Sequence, residues 1–129
     1  MLDLTLTFLG LILIVGIDSV YLTVNKSMYE PIMDPNQNLN LIYGVLSWLA
    51  IVISIQLLVL SRPDLNESAV FTNGVFLGFA IYAVYNFTNA ATYPNKWTNT
   101  IIVGDTAWGM LLTGSIALGM YKIKDLMKH

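Results

Sequence analysis

Residues Leu39–Leu60 read LNLIYGVLSWLAIVISIQLLVL, a run without a single charged side chain. An α-helix needs about 20 predominantly apolar residues to cross the roughly 30 Å hydrocarbon core of a bilayer. This segment is long enough, and so are Leu4–Val24, Ala69–Ala91 and Thr100–Tyr121. The sequence therefore predicts an all-α membrane protein whose four spans form one membrane domain over residues 1–129.

The composition excludes several other classes of protein. Only 11% of the residues are charged, whereas a typical soluble domain carries about 25%. A net charge of −2 provides no basic patch that could neutralise nucleic-acid phosphates. The chain has no cysteine, and its one histidine is His129. We therefore expect no disulfide, no metal site, no cofactor and no nucleic-acid partner.

The links between the four segments are short, polar and rich in proline, so neighbouring helices are expected to run antiparallel as a four-helix bundle. Within the link that precedes the third span, Ser68 is a candidate N-cap. Antiparallel spans place both termini on one side, and this side carries four of the six basic residues: Arg62, Lys122, Lys124 and Lys128. The positive-inside rule then predicts that both termini are cytoplasmic.

Ionisable side chains inside a span are costly, roughly 2.5–3.5 kcal/mol on insertion scales, and they usually face the interior of the bundle. Here they are Asp18 and Asp105, about 10 Å and about 8 Å from the ends of their spans on the side opposite the termini. Asn86 and Asn89 lie at a similar depth on the third span. Three spans therefore place their most polar side chains in the same leaflet, which predicts one inward polar cluster.

Helical spacing adds aromatic residues and a packing stripe to this prediction. Tyr82, Asn86 and Asn89 share one face of the third span, and Gly74 and Gly78 continue that face as a Gly-x-x-x-Gly pair that allows close helix approach. Gly109 lies one turn from Asp105. The predicted polar cluster comprises Asp18, Tyr21, Tyr82, Tyr85, Asn86, Asn89, Asp105 and Trp108, and the predicted helix-packing residues are Gly74, Gly78 and Gly109.

No basic residue within the spans can pair with the two acids. Desolvation and mutual repulsion favour the neutral form of neighbouring carboxyl groups, so we expect at least one acid to donate a proton to an Asn or Tyr oxygen. The second span is predicted to contribute only Ser47 and Ser54. The tryptophans Trp48 and Trp97 and the loop tyrosines Tyr29 and Tyr93 are interpreted as interfacial or packing aromatics.

No complete set of catalytic residues is present. An intramembrane aspartyl protease has Tyr-Asp on one span and Gly-x-Gly-Asp on the next, but this chain has Tyr85-Asn86 and Val103-Gly104-Asp105 after Ile102. A serine or threonine nucleophile would need a base, and the spans contain no His or Lys that could serve. We therefore expect a protein that is not an enzyme.

The run from Gly74 to Thr92, GVFLGFAIYAVYNFTNAAT, followed by Trp97 and by Asp105-Thr-Ala-Trp-Gly, resembles the signature of the domain-of-unknown-function 2177 family. The opening Asp18-Ser-Val-Tyr-Leu also resembles this family, and together the similarity extends over nearly the whole chain. These are small, predicted four-span membrane proteins of bacteria, some eukaryotes and large DNA viruses.

The resemblance implies that Asp18, Asn89, Asp105 and Trp108 form the element common to the family. It supplies no established activity. Two positions depart from the family pattern, which often has Asp at the position of Asn86 and Trp at that of Tyr21. The first departure removes a titratable group and weakens a proton-relay interpretation.

Three functions remain open at this point. The first is a structural or assembly component of a larger membrane complex or of a virion membrane, in which the polar cluster fixes the helix register. Its partners would be the lipid bilayer and other membrane or capsid-type proteins. The others are a small transporter or channel subunit, for a proton, ion or small solute, and a lipid-binding protein, each using the polar cluster as its site.

Overall fold

The computed structural model describes all 129 residues, and every regular element in it is helical. The helices are α1 (Leu4–Val24), α2 (Lys26–Tyr29), α3 (Leu41–Ser54), α4 (Glu67–Thr92) and α5 (Asn99–Met127). A 3-10 turn (Glu30–Ile32) follows α2, and a π-helical turn (Ile55–Val59) continues α3.

Four helical segments are long and apolar enough to cross a membrane: α1, α3 with its π-turn, α4 and α5. The predicted all-α, four-span architecture is therefore confirmed. The largest difference lies at the end of α5, which continues past the predicted Tyr121 to Met127. Residues beyond Tyr121 include Lys122 and Lys124, which favour helix even where the apolar pattern stops.

Each spanning helix begins at a side-chain N-cap. The caps are Asp3, Asn40, Asn66 and Thr98, and each side chain accepts a hydrogen bond from a backbone N–H in the first turn of its helix. This satisfies a backbone donor that has no partner within the helix. The cap of α4 is thus Asn66, whose side chain accepts from Ala69 N at 2.8 Å; Ser68, the residue favoured by the sequence, lies inside the first turn.

Neighbouring spans run antiparallel, as predicted. Helix α5 packs most extensively against α4 and also against α1, whereas α1 packs against α3. Helices α3 and α4 contact each other mainly through the π-turn. The rest of the space between α3 and α4 is therefore less completely filled than the other helix junctions.

Small residues bring the backbones of α4 and α5 together. A Cβ atom at Gly74 would lie 2.8 Å from the Cα of Gly114, and one at Gly78 would overlap the carbonyl oxygen of Gly109. Such contact is what small residues at fixed helical spacing allow in a membrane, where packing replaces the hydrophobic effect as the cause of helix association.

The interior of the bundle has an apolar half toward the termini and a polar half toward the opposite side. The apolar half is a cluster of buried side chains that includes Ile14, Val52, Ile55, Leu112 and Met120. These side chains fill the half nearest the termini. Asp18 and Asp105 lie in the other half, on the side of α2 and of the α4–α5 link.

A buried polar contact lies at the edge of the apolar half, where the π-turn meets the start of α1. The Gln56 side chain accepts from Asp3 N at 3.0 Å and donates to Asp3 O at 3.1 Å and to the hydroxyl of Thr7. Gln56 is buried. The second span thus contributes a polar contact in addition to the two serines that the sequence predicts.

Candidate functional site

The carboxylate of Asp18 accepts hydrogen bonds from two tryptophans on two other helices. Trp48 Nε1 on α3 donates to Asp18 Oδ2 at 2.7 Å, and Trp108 Nε1 on α5 donates to Oδ1 at 2.8 Å. An indole N–H can only donate, so both carboxylate oxygens are acceptors. Asp18 is 7% exposed, and it joins α1, α3 and α5 without a basic partner.

The carboxylate of Asp105 is also held by two neutral donors. Tyr29 Oη donates to Asp105 Oδ1 at 2.7 Å, and Asn86 Nδ2 donates to Oδ2 at 2.8 Å. These donors come from α2 and from α4. Asp105, itself on α5, therefore joins the fourth span to the third span and to the first link.

The amide of Asn86 has a single orientation that satisfies its neighbours. Trp97 Nε1 donates to Asn86 Oδ1 at 3.0 Å, which requires oxygen on that side and leaves the nitrogen facing Asp105. The same nitrogen lies 2.9 Å from Tyr82 O and 3.2 Å from Thr106 Oγ1. Asp105 therefore accepts from Asn86, and the expected donation from an acid to an Asn or Tyr oxygen does not occur at this contact.

Tyr21 and Tyr29 connect the two acidic centres. The Tyr21 ring stacks on Trp108 at 4.0 Å between centroids, with only 6° between the ring planes. Tyr29 Oη lies 3.1 Å from Tyr21 Oη. We call the connected group the carboxylate cluster, and its members are Asp18, Tyr21, Tyr29, Trp48, Asn86, Trp97, Asp105 and Trp108.

Tyr29 belongs to the first link, outside the four spans, and is half-buried. Burial raises its pKa above the ordinary value, and the hydrogen bonds with Tyr21 and Asp105 raise the pKa further. Tyr29 therefore stays neutral in the folded protein and keeps its hydroxyl proton available for Asp105.

The structure brings together five of the eight residues predicted for the polar cluster: Asp18, Tyr21, Asn86, Asp105 and Trp108. Tyr82 lies beside them, with its ring directly over Gly109. Tyr85 is half-exposed and packs edge-on against Trp97 at 5.8 Å. Asn89 donates only to Tyr85 O of its own helix, at 2.8 Å, and contacts neither acid.

Three members of the carboxylate cluster were missed by sequence reasoning, which treats Tyr29, Trp48 and Trp97 as interfacial or packing aromatics. Each donates a hydrogen bond to an acid or to Asn86. A signal was present: two acids without basic partners need neutral donors, and Trp and Tyr usually find a polar partner when buried. Spacing along one helix could not show which aromatic residue on another segment meets which acid.

A crevice of about 690 Å³ lies between α3 and α4 and reaches Asp18. Besides Asp18, its lining includes Tyr43, Trp48, Ile51, Ile81, Tyr82 and Tyr85. Asp105 does not line it. The two acids thus differ in surroundings: Asp105 is enclosed by its donors, whereas Asp18 borders a space that a small molecule could enter.

The model of a family described as "Predicted membrane protein (DUF2177)" matches residues 4–121. Comparison with curated proteins and with solved structures found no match. The matched range contains all four predicted spans and every member of the carboxylate cluster. The chain belongs to the domain-of-unknown-function 2177 family of predicted membrane proteins.

Proposed function

We propose that this protein acts without catalysis, as a structural or assembly component of a larger membrane complex, and that the carboxylate cluster fixes the register of its helices. One observation carries the proposal. Every oxygen of Asp18 and Asp105 accepts from a neutral donor on another segment, and these contacts include all four spans.

The arrangement of the donors supports a register role. Each donor is a planar ring or an amide with few rotatable bonds, and each meets its acceptor at 2.7–2.8 Å. Sliding one helix by a turn would move it about 5.4 Å and break these contacts in a medium without water to replace them. The cluster therefore favours one register.

The hydrogen-bond partners of the two acids support a role other than aspartyl proteolysis. That chemistry needs two carboxyl groups close enough to share a proton and activate one water. Asp18 and Asp105 share no hydrogen-bond partner, and the path between them runs through Tyr21, Tyr29 and Trp108.

The assembly role is supported by the outward helix faces, because two of the three links between the spans are short. The links between α3 and α4 and between α4 and α5 comprise only residues 60–66 and 93–98. A partner would therefore meet mainly the outward helix faces, where large apolar side chains such as Phe76, Val84 and Leu111 are exposed.

Photo-crosslinking in native membranes tests the assembly role. A photoreactive amino acid would replace Phe76, Val84 or Leu111, with buried Ile14 as the matched inward control. We expect a protein adduct of fixed mass from at least one outward position and none from Ile14. If all outward positions give only lipid adducts, the assembly role is wrong.

A second measurement tests the register role separately. Because the chain lacks cysteine, a pair introduced at Leu13 and Gly119, which face each other across α1 and α5, would report register by crosslinking with a short thiol reagent. We expect the yield to fall when Trp48 and Trp108 are both replaced by Phe. An unchanged yield would exclude the register role for the Asp18 centre.

A further inference from the structure

We propose that the crevice between α3 and α4 binds a lipophilic organic cation, an amphiphile with a protonated amine or quaternary ammonium group, and that Asp18 and the surrounding aromatic rings recognise its charge. The crevice shares Asp18 and Trp48 with the carboxylate cluster, but binding of a ligand there does not depend on assembly with other proteins through the outward faces.

The charge of the occupant follows from the surroundings of Asp18. Both partners of this carboxylate are neutral indoles. The structure's salt bridge joins Lys122 and Glu67, both exposed on the termini side. A buried carboxylate without a counter-ion is costly in an apolar medium, and a cation that entered beside it would reduce that cost.

Asp18 retains the capacity to interact with such a ligand. An ionised carboxylate has about four lone-pair sites, and the two tryptophans use one on each oxygen. The remaining sites can accept from a protonated amine or attract a quaternary ammonium by charge alone. The two indoles at the same time hold the carboxylate in a fixed orientation.

The rings around the crevice suit a cation equally well. Tyr43, Trp48, Tyr82 and Tyr85 all contribute to the lining. The faces of aromatic rings attract ammonium groups, and several rings around one position form the kind of cage that recognises quaternary ammonium ligands. A neutral acyl chain would need none of these rings and would gain nothing from Asp18.

The size and the remaining lining explain why the cation should be lipophilic. A volume of about 690 Å³ falls within the range of roughly 300–1,000 Å³ that is typical of small-molecule sites. Ile51 and Ile81 provide apolar walls, and Tyr43, Ser47 and Ala50 are exposed along α3. Because that exposed edge belongs to a membrane span, the ligand would enter from the lipid.

Equilibrium dialysis of the purified full chain in a neutral maltoside detergent tests the proposal, with tetraphenylphosphonium as the probe. We expect saturable binding of this cation, and no saturable binding of tetraphenylborate, an anion of similar shape, when the anion is dialysed alone. Asp18→Asn should weaken binding by about tenfold or more, because it removes the charge partner of the bound cation. Asp125→Asn is the matched control, since Asp125 is exposed near the end of α5 and lies outside the crevice, and it should bind like the wild type.

Asp18→Asn also disturbs the two tryptophan contacts and can fail to fold, so a second variant is needed. Ala50→Trp fills the crevice from an exposed position without removing any side chain of the carboxylate cluster, and it should abolish binding while leaving the helical circular dichroism signal unchanged. The proposal is overturned by the absence of saturable binding to the wild type, by binding of tetraphenylborate alone with an affinity equal to that of the cation, or by wild-type affinity in Ala50→Trp.

Discussion

Asp105 Oδ2 and Asn86 Nδ2 face each other at 2.8 Å across the tightest helix junction of the bundle. Asn86 is fully buried, and its oxygen is already occupied by Trp97. The amide therefore has one orientation, and Asp105 has one role toward it, that of acceptor.

Removing the Asp105 carboxylate should destabilise the protein. Asp105→Ala removes the carboxylate that accepts from the Asn86 amide and from the Tyr29 hydroxyl in a buried site, at a cost of about 1–3 kcal/mol. Asp105→Asn should cost less, because the new amide oxygen still accepts from Asn86 and its nitrogen can donate to the rotatable Tyr29 hydroxyl. Unfolding in detergent measures both losses, and equal losses would show that the negative charge itself is required.

Replacing two glycines by alanine should distinguish the effect of close helix packing on stability from the effect of helix propensity. A Cβ at Gly109 would overlap the Tyr82 ring, so Gly109→Ala should destabilise by about 1–3 kcal/mol through overpacking. Gly16 is the matched control, because a Cβ there meets no atom within 4 Å. Gly16→Ala should be neutral or slightly stabilising. If the loss in Gly109→Ala persists when Tyr82 is also shortened to Leu, overpacking against that ring is not its cause.

The sequence predicts the fold more completely than the site. Four apolar segments and their short links determine the number of spans and the antiparallel order, because span length and backbone satisfaction in lipid leave few alternatives. Asp18 and Asp105 are likewise identifiable as costly residues that must face inward. Gly74 and Gly78 indicate close approach, and in the structure they meet α5.

The partners of the acids could not be derived in the same way. Asn89 has the spacing of a cluster residue, yet its amide turns back to its own helix, because a polar side chain near the end of a span can bond a carbonyl one turn earlier. Trp48 contacts Asp18 only because α3 is oriented about its own axis so that this side chain faces the interior. Tyr29 enters because α2 folds the first link over α5. Both depend on tertiary geometry that one-dimensional spacing does not contain.

The contribution of Tyr29 to the stability of the folded protein should decrease at alkaline pH. Its folded pKa is raised by burial and by the hydrogen bonds with Tyr21 and Asp105. Below a pH of about 10, the folded and unfolded forms both keep the proton, so the full contribution of Tyr29 to stability is present. Above that pH the unfolded form loses the proton first, and stability falls as the pH rises toward the folded pKa.

Unfolding at several pH values in the wild type and in Tyr29→Phe checks this effect. The stability advantage of the wild type should be constant below a pH of about 10 and should narrow above it, because only the wild type carries the Tyr29 hydroxyl. Tyr93→Phe is the control, since Tyr93 is exposed and its side chain makes no hydrogen bond. An advantage that stays constant up to strongly alkaline pH would contradict a neutral, buried Tyr29.

The direction of insertion is the remaining prediction, and it follows from charge. The termini side carries Arg62, Lys122, Lys124 and Lys128, against Lys26 and Lys96 on the other side, so the positive-inside rule places both termini in the cytoplasm.

The absence of cysteine makes the test direct. In intact cells, a membrane-impermeant thiol reagent should label Asn36→Cys in the first link and should not label Lys128→Cys, whereas both should react after permeabilisation. The reverse pattern would place the termini outside. The crevice opening and the carboxylate cluster would then lie in the cytoplasmic leaflet, because both belong to the half of the bundle opposite the termini.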